Sequence, residues 1–309
     1  FARPSSNNIV DIYDTLTHNW QTVNGMEATG YYLASSKAAV VNNKVIFSAP
    51  EWNNGSPPVK QIVNIYDAVS NSWSVNHFPQ SRGFYAMTTV GNKVIYAGGE
   101  GQDSTITKKI DIYNASNNSW SVVNFNEGRR GMVAASVGNK VVFAGGFITR
   151  YDSLVQVCDD FGSNCDSVPA LVDVDRVDIW DVSTNTWTVA HLSEARTSIV
   201  TAVVGNKIIF AGGGKNDGGT NSSRIDVYDA VNNSWSSYTL PPSSWFGPCL
   251  AYTVGNKVLI CHWISDRIDI YDAISNSWSV VHMSEPLIGE QHQFGQVAVT
   301  GNKIVFFVQ

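Results

Sequence analysis

The chain has 309 residues, of which only 15% are charged, with 20 Lys and Arg against 26 Asp and Glu and a formal net charge of −6. That acidic balance argues against a nucleic-acid binder, and ten tryptophans argue against a disordered chain. No stretch approaches the roughly 18 consecutive apolar residues that a membrane-spanning helix requires, so no membrane insertion is expected.

In chain order, residues 1–8 (FARPSSNN) do not read as a signal peptide, and with Phe1 in first place a removed leader or a trimmed N terminus is expected. Residues 9–13 and 20–23 read as two strands around a turn. Their pattern, Asp-Ile-Tyr-Asp followed by Asn-Ser-Trp in its commonest form, returns along the chain. The aromatic pairs are Tyr13/Trp20, Tyr66/Trp73, Tyr113/Trp120, Trp180/Trp187, Tyr228/Trp235 and Tyr271/Trp278, always seven apart. A second signature, Val-Gly-Asn-Lys-Val-Ile, places turn lysines at Lys44, Lys93, Lys140, Lys207, Lys257 and Lys303, at intervals of 49, 47, 67, 50 and 46 residues. Residues 84–123 show one unit in full: strands at 84–90, 93–97, 110–113 and 120–123. Gly91-Asn92 suits the first tight hairpin because both residue types tolerate positive φ. Apolar runs bounded by Gly, Asn and Ser are strand signals, and no helical period competes with them. Residues 296–300 and 303–308 read as the last two strands.

Six copies of a unit near 50 residues, with Gly-Gly closing strand two, point to a repeat architecture. Ala97-Gly98-Gly99, Ala144-Gly145-Gly146 and Ala211-Gly212-Gly213 carry that glycine pair; Ser48-Ala49-Pro50, Cys261-His262-Trp263 and Phe307-Val308-Gln309 depart from it. On these motifs the sequence resembles the kelch family. The resemblance implies an all-β, six-bladed kelch β-propeller with four antiparallel strands per blade. The chain starts on strands three and four and ends on strands one and two. The implied ring is therefore closed by N-terminal and C-terminal strands sharing one blade, a single domain over 1–309.

Residues that repeat in every unit serve the blade. The six tryptophans are expected to be structural, at about 3–5 kcal/mol each for Trp→Ala if buried. His77, His191 and His282, each four residues after a blade Trp, are read the same way. Function is sought where the units differ. From turn lysine to blade aromatic the distances are 22, 20, 40, 21 and 14 residues, whereas the spacing from aromatic to Trp is constant. The two–three and four–one loops, which share one face, are thus the variable ones. Trp52, Trp245 and Trp263 fall in or beside them. Nine residues before each turn glycine, or its Asn equivalent, stand Leu33, Arg82, Arg129, Arg196, Phe246 and His292. By resemblance to peptide-binding kelch domains, these positions and those after the glycine pair (Glu51, Glu100, Phe147, Gly214 and Ile264) form the pocket. Arg82, Arg129 and Arg196 would hold an anionic group beside an aromatic or sugar-like face. The alternative is that the arginines tie the blades together through carboxylates or carbonyls.

The third unit carries an insertion loop, 148–173, with Tyr151, Asp159, Asp160 and Asp166. It reads as a stapled recognition loop or a tolerated insertion. A bridge from Cys158 to Cys165 would add roughly 2.5 kcal/mol in the chain-entropy model. The acidic cluster matches no EF-hand spacing. Cys249 and Cys261 flank a hairpin whose two-residue turn sets 249 opposite 262; a bulge would bring the cysteines together. His262 and His292 form the one two-histidine pair that could hold a metal, with no third ligand, and no metal is expected. Four cysteines, low charge and sequons at Asn54, Asn114, Asn117, Asn221 and Asn232 point to a secreted glycoprotein. No Gly-x-Ser-x-Gly, His-Glu-x-x-His or Cys-x-x-Cys motif occurs, and no catalytic residue or cofactor is assigned. The expected function is a non-catalytic module binding a protein or glycan. The alternatives are an enzyme acting on a small anionic sugar, since the family includes sialic-acid mutarotases, or a structural part of an extracellular assembly.

Overall fold

The structure, a computed structural model, describes residues 9–14, 17–24, 37–53, 56–101, 103–158, 165–215, 221–240, 248–262, 265–283, 297–300 and 303–306. Among them there are only strands and turns. The chain divides into two compact units, Phe1–Arg130 and Gly131–Gln309.

In the first unit, β1 (Ile9–Asp14) pairs with β2 (Asn19–Asn24). One four-stranded sheet follows from β3 (Lys37–Val41), β4 (Lys44–Asn53), β5 (Ser56–Asp67) and β6 (Ser72–His77). A second is made by β7 (Ala86–Val90), β8 (Lys93–Ala97), β9 (Lys109–Asn114) and β10 (Ser119–Asn124). In the second unit, β11 (Val133–Val137) and β12 (Lys140–Ala144) precede a separate hairpin, β13 (Phe147–Cys158) with β14 (Cys165–Asp173). The blade then resumes with β15 (Arg176–Asp181) and β16 (Thr186–His191). Two further sheets come from β17 (Val200–Val204), β18 (Lys207–Ala211), β19 (Arg224–Asp229) and β20 (Ser234–Thr239), and from β21 (Pro248–Val254), β22 (Lys257–His262), β23 (Arg267–Asp272) and β24 (Ser277–His282). Last come β25 (Val297–Thr300) and β26 (Lys303–Phe306), paired with each other. Every pairing is antiparallel, as the repeats require. Five four-stranded blades are complete, and β1–β2 and β25–β26 form two separate two-stranded pairs.

The second strand of a blade is buried on both faces, which is why it reads as a continuous apolar run: β8, β12 and β18 expose only their lysines in part. Cores lie between successive sheets. Ile46, Val63 and Ile65 pack with Tyr85, Val94, Tyr96 and Tyr113 in the first unit. Val142, Val177 and Ile179 pack with Ile208, Phe210 and Tyr228 in the second. The glycine pair has a steric cause. Gly99 (φ 99°) and Gly213 (φ 104°) have left-handed backbones, and a Cβ would lie 2.4 Å from the Gly83 carbonyl oxygen and 2.3 Å from that of Thr197.

The seven-residue spacing is a register. Each blade aromatic lies directly across from its Trp, with ring centroids 5.0 to 5.5 Å apart. The Tyr hydroxyl then donates to the Asn five residues on (Tyr66 to Asn71, Tyr113 to Asn118, Tyr228 to Asn233, Tyr271 to Asn276). Those asparagines hold φ of 50° to 56°, so one side chain pins the left-handed turn. The tryptophans themselves are only partly covered, and Trp20 is 61% exposed. The cost of a buried Trp→Ala therefore does not apply to them. The turn lysines reach the next blade: Lys44 Nζ donates to the Ala115 carbonyl (3.0 Å) and Asn118 (2.9 Å). Lys140 donates to Tyr228 and the Ala230 carbonyl, and Lys207 to Tyr271 and Asn276.

Candidate functional site

The structure places the three arginines inside the blades. Arg82, Arg129 and Arg196 are 1%, 0% and 0% exposed. Arg82 Nη1 lies 2.5 Å from Asp111 Oδ2, and its Nη2 donates to the Tyr96 carbonyl at 3.1 Å. Arg196 Nη2 repeats this with Asp226 Oδ2 (2.7 Å) and the Phe210 carbonyl (3.2 Å). Arg129 lies over the Phe125 ring, and its carbonyl accepts the Gly99 amide of the preceding blade, as that of Arg196 accepts Gly146. Burial depresses the pKa of Arg82 and Arg196, while the facing aspartates pull it back. This geometry is that of the tie rather than of a surface cradle.

The partner that sequence reasoning missed is the first aspartate of Asp-Ile-Tyr-Asp. Asp11, Asp111, Asp178, Asp226 and Asp269 are all buried, with Asn64 in the same place in the first complete blade. The signal was present: an acid repeated on an otherwise apolar strand needs a buried cation. Asp178 takes Arg176, and Asp269 takes both Arg267 and His262 (Nε2 to Oδ2, 2.6 Å). Burial opposes the charge of Asp269, but the hydrogen bonds from His262 and Arg267 outweigh it and hold its carboxyl below the ordinary range. His262, 1% exposed, is thus held by hydrogen bonding to the buried Asp269.

On the variable-loop side, the exposed Phe84 and two partly covered charged side chains come together in the first unit. Phe84 follows Arg82 by two residues, holds φ 54° and is 56% exposed. The equivalent residues are Gly131 (φ 64°) and Ser198 (φ 52°). A bulky aromatic in this backbone region is unusual. The Arg130 guanidinium lies 5.3 Å from its ring centroid and forms an ion pair with Glu100. Glu100 is fixed by a two-way backbone bridge with Gly83 (2.9 Å each). Of this group the sequence singled out only Glu100. In the second unit Glu194 pairs with Lys215 and accepts from Ser222 Oγ at 2.6 Å. Burial again opposes its charge, and these partners hold it below the ordinary range.

Phe147 is half-buried at the start of β13, its ring beside Gly131. Glu51 and Trp52 lie on β4, Glu51 across from Lys60, but their side chains are outside the described residues. Leu33, Trp245, Phe246, Trp263, Ile264 and His292 also lie outside the described residues. The insertion at 148–173 is a hairpin rather than a loop, with a register shift between Arg150 and Leu154 that hid its alternation. Cys158 stands directly across from Cys165, although the Cys158 side chain is outside the described residues. Cys261 is a buried thiol, not half of a bridge, and burial pushes it up to about 12. The bulge falls at 249, so Leu250 takes the place opposite Cys261. His191 and His282 accompany Asp175 and Asp266 at exposed strand ends, 3.0 Å apart. No group of three metal-ligating side chains occurs among the described residues, and no helix among them is long and apolar enough to cross a membrane.

Comparison with known proteins gives two findings. The Kelch motif family matches residues 195–239. A solved structure described as "Structure of YjhT" superposes with a TM-score of 0.58 at 15% identity, covering 87% of this chain and 88% of the other. No curated protein sequence matches.

Proposed function

We propose that the chain, in which the Kelch motif matches residues 195–239, is a non-catalytic, extracellular binding module that takes a protein or glycan ligand on its variable-loop side. The observation that carries this reading is Phe84. Its exposed ring, left-handed backbone and flanking Arg130–Glu100 pair form a rigid aromatic anchor beside a fixed charge pair. Aromatic anchors with arginine neighbours are the residues that dominate binding energy at interfaces, and they also stack on sugar rings. Arg82 and Arg196 brace the blades behind this side and are not its contacts. Any ligand reaching them must first displace Asp111 or Asp226 and a backbone carbonyl. The hairpin β13–β14, stapled in this reading by Cys158–Cys165, adds the exposed Tyr151 and Leu154.

The test is a glycan array and a panel of secreted proteins probed with the purified chain, followed by Phe84→Gly and Arg130→Gln variants. Glycine stands naturally at the equivalent position 131, so Phe84→Gly removes the ring and leaves the backbone. Binding is expected to fall about tenfold or more in each variant, as for an interface anchor. Undiminished binding in both, with unchanged circular dichroism, overturns the assignment.

A further inference from the structure

We infer that the outermost strands are docking edges for a second copy of this chain. The last strand of each sheet (β6, β10, β16, β20 and β24, with β2 in its pair) has a strand neighbour on one side only among the described residues. Such edges expose unpaired N–H and C=O groups. Proteins ordinarily protect them with charged residues, proline or bulges. None of these devices is present here. The six strands are NWQTVN, SWSVNH, SWSVVN, TWTVAH, SWSSYT and SWSVVH. They hold no Asp, Glu, Lys, Arg, Pro or Gly, in a chain that is 15% charged. Their registers with the neighbouring strand run without a shift. The covered strands beside them do carry charge: β9 is KIDIYN and β19 is RIDVYD. Charge is thus missing where it would protect an edge and present where it is tied up inside the blade.

The occupant follows from the strands' own sequences. Laid antiparallel on its counterpart in another copy, with facing residues on one side of the joint sheet, β10 sets Ser119 against Val123, Trp120 against Val122 and Ser121 against its own copy. β24 sets Ser277 against Val281, Trp278 against Val280 and Ser279 against its own copy. Trp–Val is a favourable cross-strand pair of an aromatic and a β-branched residue, and no like charges meet. Val75, Val122, Val189 and Val280 are exposed on these edges and would be covered. One such contact is small by the standard of stable interfaces. Each chain offers several nearly identical edges, so contacts reinforce one another and the assembly stays open instead of closing as a dimer. This inference concerns the strand edges and is independent of ligand binding on the loop side.

Sedimentation velocity of the purified full chain over a concentration series tests it. The weight-average mass is expected to rise about twofold or more above the 33.7 kDa chain as concentration increases. Val75→Lys/Val122→Lys/Val189→Lys/Val280→Lys should stay at the single-chain mass with an unchanged circular dichroism spectrum. A charge control, Val69→Lys/Val231→Lys/Ile274→Lys, alters three turn-tip residues that are at least 76% exposed, and it should assemble like the parent. A parent chain that stays single at every concentration overturns the inference. So does assembly that survives the edge variant, or is lost equally in the turn control.

Discussion

Asp226→Ala is the substitution that most directly probes the blade interior. Asp226 accepts from Arg196 Nη2 (2.7 Å), the Ser193 amide (3.2 Å) and Ser237 Oγ (2.6 Å). Arg196 is fully buried, and its Nε and Nη1 already lack a hydrogen-bond partner among the described residues. Removing the carboxylate leaves the guanidinium with the Phe210 carbonyl alone, and an uncompensated buried charge costs about 3–5 kcal/mol. Arg196→Met should cost less, nearer 3 than 5, because Asp226 keeps two donors, each contributing about 1 kcal/mol. Replacing both, as Arg196→Met/Asp226→Ala, should be milder than Asp226→Ala, since no charge is left buried and only Ser193 and Ser237 lose an acceptor. Urea denaturation followed by tryptophan fluorescence and far-ultraviolet circular dichroism measures all three. The reasoning fails if Asp226→Ala stays within about 0.5 kcal/mol of the parent, as an ordinary surface change would. It fails also if the double variant equals the sum of the singles, for then the two groups are not coupled.

Three further outcomes are expected. The turn carboxylates Asp67, Asp181 and Asp272 are held below the ordinary range, first by the Ser70 amide, the Ser183 hydroxyl and Lys257 respectively. At Asp229 burial opposes ionisation, and the Asn232 and Val231 amides outweigh it. Their folded pKa values are depressed, so their stabilisation is present above the unfolded value of about 3.9 and is lost as pH falls through the folded values. Asn114 holds the same place and still accepts the Ser116 amide, so a quadruple Asp→Asn variant should fold and lose less melting temperature between pH 5 and about pH 2.5. An unchanged acid slope contradicts this. In the folded chain Cys261 should resist alkylation at pH 8, because the thiolate is the reactive form and burial suppresses it. Peptide mapping without reduction should recover Cys158 joined to Cys165; recovery of Cys249 joined to Cys261 would refute the register at the bulge.

The strands and their pairing were legible because each blade restates them. A seven-residue spacing that never varies can only be a fixed antiparallel register, and Tyr66 across from Trp73 is that register. Gly98-Gly99 marks the end of strand two by residue type alone. The arginines were ambiguous because a sequence shows spacing but not depth. Arg82 and Asp111 are 29 residues apart, and only the folded sheet brings them to 2.5 Å. Asp111 itself escaped notice because alternation marks a polar residue as outward-facing, whereas the inner strands are buried on both sides. Phe84 carried no local signal, since bulky residues seldom take positive φ. Only aligning it with Gly131 and Ser198 exposes it. The hairpin at 147–173 was hidden by Pro169 and the shift at Arg150, which break a two-residue period.

The turn lysines have a consequence for how such a chain can change. Lys44, Lys140 and Lys207 each reach forward to the aromatic turn of the following blade, and what they meet there is backbone carbonyl, Tyr hydroxyl or Asn amide. These three joints use the same plug and the same socket, so they do not encode which blade comes next. A duplicated or exchanged unit would arrive already fitted to either neighbour, and its loops could diverge without disturbing the joint.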